Sequence, residues 1–135
     1  MLKAIREASG NPDLEFDEDG DVLLRFGSAA VFVRVLGGSS GVRMFSPVLE
    51  SVEINDRLLG RLSELNAEIR FARFFAAEGR VIVAAEVFAA PFVAEYVTQA
   101  CPQVGSLADE YGGTLQKEFG GRRAFEDVPE GNEVQ

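Results

Sequence analysis

Two-residue turns set between short runs of alternating apolar residues constrain what this chain can fold into. Asp19-Gly20, Gly27-Ser28 and Glu78-Gly79 each interrupt such a pattern. Pairs of this kind favour the tight turns of β-hairpins, because glycine accepts positive φ without a steric penalty. The strands they join run antiparallel, and a loop of fixed length decides which residues oppose each other and which face each side chain takes.

The rest of the chain organises around these turns. Residues 1–8 predict a short helix, stopped by Ser9-Gly10-Asn11-Pro12. Residues 14–17 predict a strand that doubles back through Asp19-Gly20 into residues 22–26. Gly27-Ser28 leads into a longer strand over residues 29–36. A glycine-serine loop, 37–41, precedes a shorter strand at 42–46 that Pro47 ends. Residues 54–66 carry Ile54, Leu58, Leu59, Leu62 and Leu65 at helical spacing, with Ser51 near the start of that helix. Residues 69–76 and 81–88 flank Glu78-Gly79 as a further hairpin.

Residues 90–119 predict a long helix whose stripe includes Phe92, Val93, Tyr96, Val97, Ala100, Cys101 and Val104. Pro102 removes a backbone donor there and is expected to kink or split it. The expected fold class is α+β: residues 1–119 form one domain with a mostly antiparallel sheet of about five strands. The order is α-β-β-β-α-β-β-α, with the helices mainly on one face. Residues 120–135 are expected to form a flexible C-terminal tail.

Hairpin parity yields a sharper expectation. With Gly27-Ser28 as a two-residue loop, Leu24 opposes Val31. One face then holds Val22, Leu24, Phe26, Val31, Val33 and Val35, and the other holds Leu23, Arg25, Ala30, Phe32 and Arg34. Glu78-Gly79 in the same role puts Ala72, Phe74, Ala76, Val81, Val83, Ala85 and Val87 on one face. The opposite face takes Ile69, Phe71, Arg73, Phe75, Ile82, Ala84, Glu86 and Phe88. Each hairpin therefore has an aliphatic face, suited to lie under helices, and a face of phenylalanine interleaved with charge. Aromatic residues and arginine are enriched at protein interfaces. The candidate peptide-binding residues are Phe32, Arg34, Phe71, Arg73, Phe75 and Phe88. The competing reading is that a further helix or the chain's own tail covers that face.

The residue inventory excludes most catalytic chemistry. Among 135 residues there is no histidine and one cysteine, Cys101. Ser-His-Asp and Cys-His catalysis, histidine-ligated metals, thiolate metal clusters and an internal disulfide are all excluded. No cofactor is indicated. A chain of this length buries roughly two-thirds of its unfolded surface without staples, which fits a reducing, cytoplasmic setting. A net charge of −9 argues against nucleic acid and anionic lipid as partners. The N-terminus has no apolar core of a signal peptide, and no apolar stretch approaches a membrane span.

The local motifs have plain readings. Asp17-Glu18-Asp19-Gly20-Asp21 starts like a calcium loop, but Val22 and Ser28 stand where glycine and a bidentate glutamate belong. It reads as a turn. Gly37-Gly38-Ser39-Ser40-Gly41 lacks the lysine and helix of a phosphate loop. Cys101, on an apolar stripe, reads as a buried structural thiol.

The stretches DGDVLLRFGSAAVFVRV (19–35) and LNAEIRFARFFAAEGRVIVAAEVFAAPF (65–92), within this element order, resemble the YbjN-like group of bacterial proteins. That group shares its fold with class I type III secretion chaperones. The resemblance implies a cytoplasmic, often dimeric, acidic protein that binds extended segments of other proteins, with no catalytic residues. Related proteins described as regulators of sensory transduction suggest an alternative: a homodimeric regulatory protein of signal transduction using the same sheet face. A third reading is a small-ligand binder or carboxylate-based enzyme with its pocket between the sheet and helix 90–119.

Overall fold

The computed structural model describes residues 2–26, 29–37 and 40–124. Among them the order is α1 (Leu2–Ser9), β1 (Asp21–Phe26), β2 (Ala29–Leu36), β3 (Gly41–Glu50), α2 (Asp56–Glu68), β4 (Arg73–Ala77), β5 (Arg80–Phe88), α3 (Ala94–Phe119) and β6 (Arg122–Arg123). The sheet is antiparallel throughout, in the order β1-β2-β3-β5-β4, with β6 also on β3. The helices pack on one face, giving the α+β arrangement that the turns imply.

Both hairpin parities hold. Phe26 pairs with Ala29 and Leu24 with Val31, which requires a two-residue connection, although Gly27 and Ser28 themselves lie outside the described residues. Ala77 pairs with Arg80, and Glu78 and Gly79 both take positive φ, 53° and 76°. That is a type I′ turn, whose twist matches the strands it joins. The aliphatic face and the helices build the core: Val22, Leu24, Val31, Val33, Val42, Met44, Phe74, Val81, Val83 and Ala85 against Ile5, Leu58, Leu62, Leu65, Val97, Cys101, Val104 and Leu115. Phe74 meets Tyr111 edge to face, with centroids 5.7 Å apart.

Five features differ from the sequence reading. Residues 14–17 form no strand. Leu14 is buried and its carbonyl accepts a 2.6 Å bond from Arg6 Nε. Residues 17–21 instead close a turn, in which Asp17 Oδ1 accepts from the backbone N–H of Asp19 and of Asp21. A single inward apolar residue gives such a segment little to bury as a strand.

Pro47 does not end β3, which runs ten residues through it, with a register shift between Pro47 and Leu49. The Ala89 N–H donates to the Ser40 carbonyl on the β3 side, which sets the ladder's parity. Val42, Met44 and Ser46 therefore turn their backbone groups toward β5, and the missing Pro47 donor faces the β2 side. Pairing with β2 has ended there at Phe32↔Phe45, so no ladder bond is lost.

α2 starts later than expected, and its N-cap is Asn55, not Ser51. The Asn55 side chain accepts from the Leu58 N–H at 2.9 Å. α3 begins at Ala94 and runs unsplit past Pro102, which lies on its exposed side.

The segment expected to start the tail contains β6. Arg122 and Arg123 pair with Glu50 and Leu49, and the Arg123 guanidinium lies over Gly112 of α3. A Cβ at Gly112 would stand 2.6 Å from Arg123 Nε, and one at Gly121 would stand 2.8 Å from the Glu50 carbonyl. Both glycines permit this close return of the chain. Residues 125–135 lie outside the described residues.

One core position carries an unmet cost. Ser46 is fully buried on the helix side, opposite Val83, and its hydroxyl has no hydrogen-bond partner. Ser46→Ala removes that buried polar group at almost no change in volume. Chemical denaturation should show stability raised by about 1 kcal/mol; a loss of similar size would mean that the hydroxyl has a partner in solution.

Candidate functional site

Strand alternation carries the mixed face across the sheet. Leu23, Phe32, Phe45, Ala84 and Arg73 form one transverse row, and Asp21, Arg34, Arg43 and Glu86 form the next. No helix among the described residues lies over it. Phe32, Phe45, Phe75 and Ile82 are half-buried there, and Leu23 is 37% exposed. The face is apolar in area, yet charged at regular intervals.

The charges are held by partners. Arg34 forms a fork onto Asp21, Nε to Oδ1 at 2.7 Å and Nη2 to Oδ2 at 2.8 Å. This bond is the main reason the Arg34 pKa lies above its ordinary value. Its guanidinium sits 5.0 Å from the Phe45 ring centre, and Phe45 stacks on Phe32 with centroids 5.4 Å apart. Arg43 donates to Glu86 at 2.7 Å, and Arg73 approaches the same carboxylate at 3.4 Å while lying 5.7 Å from the Phe75 ring centre. The Arg43 bond leads the causes that hold the Glu86 pKa below its ordinary value. The Arg34 and Arg73 guanidiniums are thus each held beside a ring by an acidic partner.

Five of the six expected residues occupy this face: Phe32, Arg34, Arg73, Phe75 and Phe88, the last 84% exposed. Phe71 does not. β4 starts only at Arg73, and Phe71 has a φ of 68° that breaks the alternation. Its ring, 83% exposed, stands instead at the α3 side of the sheet, where it lines two hollows with Gln103. Ile69, assigned to the same face, also precedes the strand. The sequence reading missed Arg43 and Phe45. The loop before β3 is too long to fix parity, although Arg43-x-Phe45 has the same two-residue spacing as Phe32-x-Arg34 in β2 and Arg73-x-Phe75 in β4.

Among the described residues, the clustered carboxylates are engaged by partners of the fold. Asp17, Asp19 and Asp21 bring oxygens within 4.8 Å of one another, but Asp21 is committed to Arg34 and Asp17 to the backbone of its turn. The hollows beside α3, of about 500 and 320 Å³, are open to solvent. The carboxylate lining the smaller one, Glu86, is shifted down in pKa, opposite to the shift a general acid needs. Cys101 is fully buried, and burial pushes its thiol up to about 12, which suppresses the nucleophilic thiolate. No helix of the described residues is long and apolar enough to cross a membrane.

This architecture matches known proteins. The family model for T3SS (YopN, CesT) and YbjN peptide-binding chaperone 1 matches residues 1–127, and the chain belongs to that family. The fold is similar to a chain of the ExsC-ExsE complex, with TM-score 0.65, 19% identity, and 84% of this chain and 91% of that chain covered. It is similar to a chain of the HopA1-SchA chaperone-effector complex, with TM-score 0.58, 13% identity, and coverage of 86% and 90%. YbjN from E. coli gives TM-score 0.62 at 14% identity, with coverage of 88% and 94%. At these identities the likeness is one of fold. No curated protein matches the chain in sequence.

Two outcomes follow from the site. A lowered Glu86 pKa in the fold means that its carboxylate adds stability above its ordinary value of 4.5, and that this is lost as pH falls through the folded value. Unfolding midpoints measured below pH 4.5 should therefore fall more steeply for wild type than for Glu86→Gln; parallel curves would refute the Arg43–Glu86–Arg73 coupling. A thiol reagent should label Cys101 only in denaturant, and labelling of the native protein at the unfolded rate would refute the burial.

Proposed function

We propose that this protein is a non-enzymatic binder of other polypeptides, chaperone- or adaptor-like, that receives an extended segment of its partner on the mixed sheet face. The observation that carries the reading is that half-exposed rings and oriented guanidiniums share one face while the helices of the described residues lie on the other. Large apolar patches left open on a folded chain are binding surfaces. Membership of a peptide-binding chaperone family supports the reading, as does the presence of the same fold in a chaperone-effector complex.

In this reading Phe32, Phe45, Phe75 and Phe88 supply apolar contact. Arg34 and Arg73 present the outer edges of their guanidiniums to partner carboxylates, and Arg25 adds a cation without a carboxylate partner among the described residues. Guanidiniums already held by Asp21 and Glu86 lose little side-chain entropy on binding. The protein works in a reducing cytoplasm, where an unpaired buried Cys101 is stable. It uses no cofactor, and the alternative occupant of the face is a second copy of the chain.

Co-purification from native cells tests the reading. Tagged wild type should retain one or a few polypeptides that Leu23→Glu plus Phe75→Glu releases, with unchanged far-ultraviolet circular dichroism. Equal retention by both proteins would discard this face. Light scattering on the same pair separates a second copy from a foreign partner: loss of a dimer in the variant would assign the face to self-association.

A further inference from the structure

The mixed face is positively charged on a chain whose net charge is −9. The five longer strands each place one arginine there, Arg25, Arg34, Arg43, Arg73 and Arg80, and β6 adds Arg122. The same strands supply three carboxylates. Asp21 holds Arg34, and Glu86 holds both Arg43 and Arg73. Glu50 lies 3.7 Å from Arg80 and 3.1 Å from Arg122. Two guanidiniums around one carboxylate leave a positive surplus at Glu86 and again at Glu50. An arriving group meets this local surplus rather than the net charge, because salt screens charges beyond a Debye length of about 8 Å.

Residues 125–135, outside the described ones, have the complementary chemistry. They hold Glu126, Asp127, Glu130 and Glu133, no lysine or arginine, and the apolar Phe125, Val128 and Val134. The described chain leads toward the face. Arg122 reaches the Glu50 carboxylate on the mixed side, whereas Arg123 turns to Gly112 of α3, so alternation returns Ala124 to the mixed side. The Ala124 N–H donates to the Val48 carbonyl at 3.2 Å. Ahead of it the lane along β3 is taken by β2, whose Phe32 pairs with Phe45. The helix side is filled by the core, including Val48, Leu49 and Leu115. The mixed face is the open way on. Eleven extended residues span up to ~36 Å. The outermost strands, β1 and β4, each lie two strand spacings from β3, about 10 Å. Every arginine of the face is therefore within reach.

We propose that residues 125–135 are a resident ligand of the mixed face, an acidic segment of this chain that lies over its rings and guanidiniums and that a partner polypeptide displaces. A tethered segment meets its site at an effective concentration on the order of millimolar, so modest contacts keep the site occupied. Its carboxylates answer the surplus at Glu50 and Glu86. Phe125, one residue past Ala124, is tethered within reach of the Phe32–Phe45 stack. A polypeptide that binds the same face competes with the segment, and its apparent affinity falls with the fraction of chains whose face is free. The displacement rests on the polypeptide-binding reading; occupation of the face does not.

The test uses the full chain in two forms, wild type and a variant neutralised by Glu126→Gln, Asp127→Asn, Glu130→Gln and Glu133→Gln. The first measurement is paramagnetic broadening from a nitroxide on Gln135→Cys, with Cys101 protected by its burial. The amide signals of Leu23, Phe45 and Ala84 should be attenuated and that of Leu59 on α2 should not, and neutralisation should remove the attenuation. No attenuation at the mixed face, equal attenuation at Leu59, or attenuation that survives neutralisation would overturn the proposal. Attenuation that disappears when the spin-labelled chain is diluted with unlabelled chain would place the segment on a second copy and overturn it too. The second measurement is the anisotropy of a fluorescein-labelled peptide with the sequence of residues 125–135. The neutralised variant should bind it about tenfold more tightly than wild type, whose face is filled, and adding Leu23→Glu plus Phe75→Glu should abolish binding. Equal binding by the two chains, or none, would overturn occupation. Co-purifying polypeptides that Leu23→Glu plus Phe75→Glu releases, with the segment absent from the face by both measurements, would overturn this proposal and leave the polypeptide-binding reading standing. A segment found on the face of a chain that retains no polypeptide would support occupation and overturn that reading.

Discussion

β3 lies between two hairpins that share no other strand, and its alternation forces them to agree. Val42 and Met44 pair with Val33 and Ala85, among others, while Arg43 and Phe45 pair with Arg34, Phe32, Glu86 and Ala84. A one-residue slip on either side of β3 would bury guanidiniums under α3 and turn valines to water. The hydrophobic term therefore fixes the register, and the register brings the aromatic and charged residues of five strands onto one surface. Their coincidence follows from a constraint that acts on the opposite side of the sheet.

That surface holds together because its charges are answered locally. Arg34 meets Asp21, and Arg43 and Arg73 meet Glu86, each partnership crossing from one strand to the next. Cross-strand pairs of this kind add modestly to stability where water screens them. Their larger effect is on shape. They hold the guanidiniums over Phe45 and Phe75, which keeps rings and cations in fixed positions and limits the freedom lost when a partner arrives. A face built this way tolerates water without being a purely solvated surface.

The sequence made legible what the loops at 27–28 and 78–79 controlled: the pairing of β1 with β2 and of β4 with β5, the aliphatic face and most of the mixed one; Asp19-Gly20, with no strand before it, joins no hairpin. It failed where a residue's effect depended on what lay across space. Pro47 reads as a stop unless it is known that β2 has already ended on the side its missing donor faces. Arg43 and Phe45 follow a loop too long to fix parity. Arg122 and Arg123 look like solvated tail until Gly112 and Gly121 are seen to admit a close return over α3 and β3. Phe71 obeys the alternating pattern in sequence and breaks it in the backbone, because nothing in a phenylalanine announces a positive φ.

The edges of the sheet are treated differently from one another, and the difference carries meaning. Exposed strand edges invite association with other chains. At β4 the Asn66 amide stands in for a neighbouring strand by bonding both backbone groups of Phe74. At the far half of β3, β6 and the Ala124 N–H take up Glu50, Leu49 and Val48 where β2 has left off. Two exposed lanes are thus closed by the chain's own groups. Beside Glu86 and Phe88 the chain does the reverse: it adopts an unfavourable backbone at Phe71 and withdraws a strand that was in register to continue.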